Sequence, residues 1–305
     1  MNRIISIPTS YKNEFVQTGR VFPLVDLKLE TLISDVLNQK LNYADHNFLD
    51  DGTRVIGVKE DLTRNLFNTF KDLFQTKLEN SKLNSITNLA TASRVDICLG
   101  CTQFIDTLYM QGSVQVLENE YNYHGRLTPD IQFKTIETLT PGVPLIVSQP
   151  FYNGSTYERM DELLNKCLDL SIPVHIDGAW ITACKNINLD FSHPAIRSVA
   201  ISMSKGYGLS GWNRIGLRWI KDPAVDAITI MNDFLQVPAQ SVAVGIYFLN
   251  NIDIDHLWNT HSDRYYKICN DFGYTPTDTI HAVCEDDKIR GIAPLIRYLE
   301  SISGN

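Results

Sequence analysis

The chain has 305 residues, room for about two domains of ordinary size or for one large α/β unit with a smaller appendage. Apolar residues make up 44% and charged residues 20%, which permits a sizeable core and excludes a disordered or collagen-like chain. With 27 basic against 35 acidic side chains the net charge is −8, and no basic stripe offers a phosphate backbone a partner.

Met1 to Phe15 carry Arg3, Lys12 and Glu14 and lack the apolar core of a secretion signal, so the expected location is the cytoplasm. Residues 25–41 place Leu29, Leu32, Ile33, Val36 and Leu37 at helical spacing. Residues 58–81 repeat the pattern with Leu62, Leu66, Phe67, Phe70, Leu73, Phe74 and Leu78. Cys98 and Cys101 form a C-x-x-C without a second pair or a nearby His, which reads as two buried thiols. Six cysteines in a chain this long make no disulfide scaffold, and no His spacing supports zinc, so no metal is expected.

From Val143 the pattern changes. Four short apolar runs, Val143–Ser148, Ile172–Ile176, Ser198–Ser202 and Ile215–Ile220, read as buried strands. Between the first two, Tyr157–Leu170 reads as a helix opened by a capping box of Ser155 and Glu158. The alternation predicts an α/β fold, a three-layer α/β/α arrangement around a mostly parallel sheet, with a small α+β domain beside it. The expected boundaries are a large domain over 56–221 and a smaller unit drawn from 1–55 and 222–305. A long uncharged run, Phe234–Ile252, contains Gln236, Pro238, Gln240, Ser241 and two Asn, which fits a buried helix rather than a membrane span.

Ligands of such sheets bind at the carboxyl ends of the strands. Reading the polar residues there gives Asn153, Asp177, Ser202, Ser204 and Lys205, with Arg214 opening the fourth strand. Upstream, Gly100-Cys101-Thr102 precedes a helical stretch and offers backbone amides to a phosphate. One ligand satisfies the whole set: an aromatic aldehyde with a phosphate and a basic ring nitrogen. A carboxylate at Asp177 keeps the nitrogen protonated, an amine at Lys205 forms the imine, and helix-start amides with a hydroxyl and an Arg hold the phosphate.

Ile201-Ser-Met-Ser-Lys-Gly-Tyr-Gly-Leu-Ser-Gly-Trp-Asn-Arg-Ile-Gly216 resembles the lysine signature of fold-type I pyridoxal-phosphate enzymes, the class I/II aminotransferase group. His175-Ile-Asp-Gly-Ala-Trp180 is similar to that group's D-x-A-Y segment, and Gln149-Pro-Phe-Tyr-Asn153 to its Asn loop. Cys98–Leu108 is similar to its Gly-Thr loop and helix, and Gly112–Tyr121 to the strand that brings an aromatic onto the cofactor. The resemblance implies pyridoxal 5′-phosphate as cofactor and Lys205 as the catalytic Schiff-base lysine that moves the substrate proton. It implies Asp177 at the ring nitrogen, Asn153 at the ring oxygen and Tyr121 stacked on the ring. Gly100, Cys101, Thr102, Ser202, Ser204 and Arg214 fall around the phosphate. Trp180 stands where the group has Tyr and cannot ionise, and Tyr207 is a possible substitute.

The substrate is expected to be an amino acid or amine, its carboxylate held by Arg290 in preference to Arg297. Glu118 and Glu120 beside Tyr121 suit a basic side chain on it. A homodimer is implied, with Tyr43 reaching a neighbouring subunit; no nucleic acid or membrane is involved. Aminotransfer leads among the reactions, with decarboxylation, lyase chemistry and oxygen-dependent oxidation on the same scaffold as alternatives, and a non-catalytic binding protein after them. A dinucleotide binder is set aside because no G-x-G-x-x-G follows a strand.

Overall fold

The structure is a computed structural model that describes residues 6–18, 21–38, 60–223 and 225–303. Tyr43 lies outside the described residues. In chain order the strands are β1 (Gln17–Thr18), β2 (Ser85–Thr87), β3 (Arg94–Cys98), β4 (Gln115–Leu117), β5 (Phe133–Lys134), β6 (Leu145–Ser148) and β7 (Val174–Gly178). They continue with β8 (Asn188–Asp190), β9 (Ile196–Ser202), β10 (Gly216–Ile220), β11 (Thr275–Pro276), β12 (Ala282–Glu285) and β13 (Lys288–Gly291).

Seven strands form the central sheet in the order β3-β10-β9-β7-β6-β4-β5. From β9 to β5 every pairing is parallel. All but one residue of β9 and every residue of β10 are buried, as expected of strands covered on both faces. The fold is thus α/β with a mostly parallel sheet. The exception is β10, antiparallel to both β9 and β3. Because it runs backwards, its first residues meet the last residues of its neighbours: Gly216 stands opposite Ser202 on one side and Cys98 on the other. Arg214 is therefore delivered to the carboxyl edge of the parallel strands, although it precedes its own strand.

The helix predicted over 58–81 spans Glu60–Glu79, with Leu66, Phe67, Phe70, Phe74 and Leu78 buried. It crosses helix Ala239–Asn251 where Gly245 meets the Phe70 ring; a Cβ there would stand 2.6 Å from a ring carbon. That second helix occupies the long uncharged run, and among the described residues no helix is long and apolar enough to cross a membrane. A buried ion network ties the sheet to helix Ala227–Asp233: Arg218 donates to Asp96 at 2.9 Å and to Asp226 at 2.7 Å. A four-stranded antiparallel sheet, β1-β13-β12-β11, joins the two ends of the chain, with Gln17 opposite Gly291.

One local expectation fails. The helix predicted from Tyr157 begins at Met160, its N-cap is Arg159, and no side chain caps it. Ser155 is committed elsewhere: its N–H donates to Asn153 Oδ1 at 3.1 Å and its hydroxyl accepts from Asp278 N–H.

Candidate cofactor site

The site residues gather at the carboxyl edge of the central sheet. β3 ends at Cys98, and after Leu99 the backbone turns at Gly100, with φ +83°, into helix Cys101–Gln111. Gly100 is the helix N-cap and brings no side-chain acceptor, so the opening amides are left to an external anion. A Cβ at this position would meet Arg214 Nε at 3.3 Å and Ser202 Oγ at 3.5 Å, so the glycine makes room for both. Arg214 Nη2 donates to Thr102 Oγ1 at 2.9 Å. Ser202 Oγ donates to Ser204 Oγ at 2.7 Å and accepts from Ser204 N–H at 3.0 Å. Gly100, Thr102, Ser202, Ser204 and Arg214 thus form one cradle of amides, hydroxyls and a guanidinium, the donor set for a phosphate dianion.

Cys101 links the cradle to the second charged feature. Its backbone opens the helix, while its thiol donates to Ala200 O at 3.3 Å and lies beside Asp177. Burial pushes the Cys101 thiol well above its ordinary value and that of Cys98 up to about 12. Both are free, as the sequence reading expected. Asp177 is the penultimate residue of β7 and is 5% exposed, with Oδ1 accepting Ala179 N–H at 3.0 Å. Burial raises its pKa, against the lowering effects of the Cys101 thiol, the Ala179 amide and the Lys205 charge. A cation beside it would favour its ionised form.

Lys205 follows β9, and its Nζ stands 4.8 Å from the centre of the Trp180 ring. The backbone beside it is fixed by Thr182. Gly206 N–H donates to Thr182 Oγ1 at 3.1 Å, and a Cβ on Gly206 would stand 2.1 Å from the Thr182 carbonyl oxygen. His281, from the loop before β12, packs against the other part of this corner, its ring 5.4 Å from that of Trp180. Thr182 and His281 carry no local motif, and sequence reasoning missed both.

Asn153 lies in the loop after β6, where Gly154 is packed against Thr277 and Thr279. Its Oδ1 serves Ser155, so the amide NH₂ is the donor it can present. Tyr121 stands past β4, 53% exposed, stacked on Tyr123 at 5.8 Å. The expectation for Glu118 and Glu120 is overturned in part. Glu118 is exposed, but Glu120 is buried and accepts Ser148 N–H at 2.6 Å, Ser148 O–H at 2.7 Å and Tyr121 N–H at 2.9 Å. Burial nevertheless raises its pKa to about 7. It fastens β4 to β6 and does not face a substrate side chain.

Arg290 and Arg297 are each paired with a carboxylate. Arg290 Nε donates to Glu285 at 2.8 Å, which also takes Lys12, and Arg297 pairs with Glu30. Tyr207 is 1% exposed, and the charges that act on it are Asp253 and Asp255, so its hydroxyl is no replacement for the tyrosine missing at 180.

Outside this edge, Asp26, His261 and Glu300 place one ligand atom each within 4.8 Å of one another. Hydrogen bonds account for the grouping. Arg264 donates to His261 Nδ1 at 3.3 Å, which puts the ring proton on Nε2, and Nε2 lies 3.1 Å from Asp26 Oδ2. Asp26 also caps helix Leu27–Leu37 and bonds His256 at 2.7 Å.

No protein-family profile and no curated protein sequence matches the chain. Solved structures do. The chain superposes on a pyridoxal-phosphate-bound C-S lyase of Staphylococcus hominis with a TM-score of 0.58, at 10% identity over 93% of this chain and 80% of that one. It superposes on a NifS-like protein of Rickettsia africae with a TM-score of 0.57, at 12% identity over 93% and 98%. A mutant aspartate aminotransferase of Thermus thermophilus gives 0.54, at 11% identity over 88% and 79%. At such identity these likenesses establish a shared fold.

Proposed function

We propose that this chain is a pyridoxal 5′-phosphate-dependent enzyme acting on an amino acid or amine, with aminotransfer as its reaction. The observation that carries the reading is the convergence on one sheet edge of an anion cradle, a buried carboxyl and a lysine. The cradle of Gly100, Thr102, Ser202, Ser204 and Arg214 is open at Gly100 because no Cβ fills it. It fits a phosphate; Asp177, one residue's width away through Cys101, fits a protonated ring nitrogen. The similar structures of a lyase, a NifS-like protein and an aminotransferase agree with this fit.

Bound there, the cofactor supplies an electron sink for a bond broken at the substrate α-carbon. Asp177 keeps the ring nitrogen protonated, and its own ionised form is favoured in return. The Asn153 amide donates to the ring oxygen, and Tyr121 covers the ring face. Lys205, held by the Gly206–Thr182 contact, takes and returns the substrate proton. Trp180 offers its ring to the lysine amine and cannot ionise. Arg290 holds the substrate carboxylate in this reading once it exchanges Glu285 for it. A homodimer and a cytoplasmic location belong to the same proposal.

A lyase reaction is the second reading, favoured by the likeness to a C-S lyase at a TM-score as high as that of the transferases. The test mixes the cofactor-loaded protein with a panel of amino acids and amines, without keto acid. Stoichiometric pyridoxamine phosphate marks aminotransfer. Continuous release of ammonia and keto acid, with the cofactor unchanged, marks the lyase. Neither product from any panel member contradicts the proposal.

A further inference from the structure

Helix Cys101–Gln111 packs on the central sheet with Phe104, Ile105 and Leu108 buried. Thr102, Asp106 and Tyr109 recur at i, i+4 and i+7, which puts all three on another face of the same helix. Each meets a partner outside the helix. Thr102 Oγ1 accepts from Arg214 at 2.9 Å, Asp106 Oδ1 accepts the Tyr123 O–H at 2.5 Å, and the Tyr109 hydroxyl bonds His124 Nδ1 at 3.0 Å. The first turn of this face thus serves the anion cradle, and the next two turns hold the short helix Tyr123–Leu127.

Tyr121 leans on both residues held in this way. Its ring lies nearly parallel to that of Tyr123, with 19° between the planes and 5.8 Å between centres, and it meets His124 edge-on at 84° and 6.4 Å. A tyrosine ring that is more than half exposed is not fixed by burial, so its neighbours decide its plane. We propose that Tyr123, anchored by Asp106, is a positioning residue for Tyr121: it presets that ring so that the face turned away from Tyr123 is ready for a flat aromatic ligand. A ring ordered beforehand loses less freedom when a second ring stacks on it. The anchor is a bond from a neutral hydroxyl to a carboxylate, stronger than one between neutral groups. Burial first, and then the Asp106 bond, push the Tyr123 hydroxyl up to about 12, which keeps it a donor; the Arg214 charge acts the other way, so the stack and the cradle lie within electrostatic reach of each other. One helix face thereby sets the anion cradle and the aromatic platform in register.

This role rests on the reading in which Tyr121 covers the cofactor ring, and its test on the full chain has a cofactor-free arm and a loaded arm. In the cofactor-free chain labelled with ¹³C-tyrosine, the Tyr121 ring signals are identified by Tyr121→Phe and read for the ring-current displacement that a parallel neighbour imposes. The expected result is a displacement in wild type that is lost in Tyr123→Leu and reduced alike in Tyr123→Phe and Asp106→Ala, which break the same bond from its two ends. In the loaded arm, absorbance titration gives the apparent Kd for pyridoxal phosphate. Tyr121→Leu should weaken binding about tenfold and Tyr123→Phe about threefold, while adding Tyr123→Phe to Tyr121→Leu should change nothing further. A threefold loss on top of Tyr121→Leu means that Tyr123 acts without Tyr121 and overturns the role. So does a Tyr121 displacement that is the same in wild type, Tyr123→Phe and Asp106→Ala. Should the variants unfold, the wild-type spectrum decides: Tyr121 signals at the positions of a free tyrosine overturn it. If pyridoxal phosphate fails to bind while the displacement follows the Asp106 bond, the proposed function falls and the anchoring of Tyr121 stands.

Discussion

Replacing Glu120 by Gln tests the buried carboxyl under the edge of the sheet. Its pKa stands at about 7 against an ordinary 4.5, first because of burial, although Ser148 and the Tyr121 amide donate to it. At about 1.4 kcal/mol per pH unit, that displacement amounts to about 3 kcal/mol. The sign is that of an acid raised by folding. Between pH 4.5 and 7 the folded chain holds a proton that the unfolded chain has released, so stability falls as pH rises through that window. His124 and His175, both pushed down to about 4 by burial, act in the opposite sense between that value and 6.5. The informative quantity is therefore the difference between variant and wild type. Gln has one acceptor oxygen where Glu120 accepts three bonds, so the variant loses about 1–3 kcal/mol at pH 5. By pH 8 its relative position should improve by about 3 kcal/mol. Urea unfolding at pH 5, 6, 7 and 8 measures this. A wild-type-to-variant gap that stays constant across the series refutes the reasoning.

Gly206→Ala should cost about 2–3 kcal/mol, the cost of overpacking against backbone, since its Cβ would lie 2.1 Å from the Thr182 carbonyl oxygen; the thermal midpoint reads this, and an unchanged midpoint shows that the loop yields. Asp26→Asn keeps the cap to Leu29 but sets an NH₂ group against the Nε2–H donors of His256 and His261, with an expected loss of about 3 kcal/mol at pH 7. Burial opposes ionisation of Asp26, and the bonds from His256, His261 and Leu29 outweigh it, holding the carboxyl below its ordinary 3.8. The loss should therefore shrink as pH falls below about 4, where the unfolded wild-type chain takes up a proton that the folded carboxylate still refuses; a loss that grows there contradicts the assignment.

How much of this was legible in the sequence depends on the range of each interaction. β6, β7, β9 and β10 announce themselves as apolar runs because strands buried on both faces need no polar alternation. Their direction does not show, and a run such as Gly216–Ile220 reads the same parallel or antiparallel. Arg214 was found because it sits in the lysine signature, but only the reversal of β10 explains how it reaches the edge where Ser202 ends. β3, β4 and β5 are short or carry Arg94, Asp96 and Gln115, and no run marks them. The capping box at Ser155 failed for a related reason: a residue 123 positions away, Asp278, claims its hydroxyl. Thr182, His281 and Glu120 act through distant partners and leave no local pattern. Arg290 was singled out by the apolar run after it, which carries no information about Glu285 as its partner.

The central claim is that Lys205 forms an imine with pyridoxal phosphate held by the cradle at Gly100 and Arg214. Purified protein is mixed with pyridoxal phosphate, scanned in the visible range, reduced with borohydride and mapped by peptide mass. The account predicts a visible absorption band and one reduced adduct on Lys205, absent from Lys205→Ala and weakened in Arg214→Met. No band, or an adduct on another lysine such as Lys185 or Lys221, would contradict it.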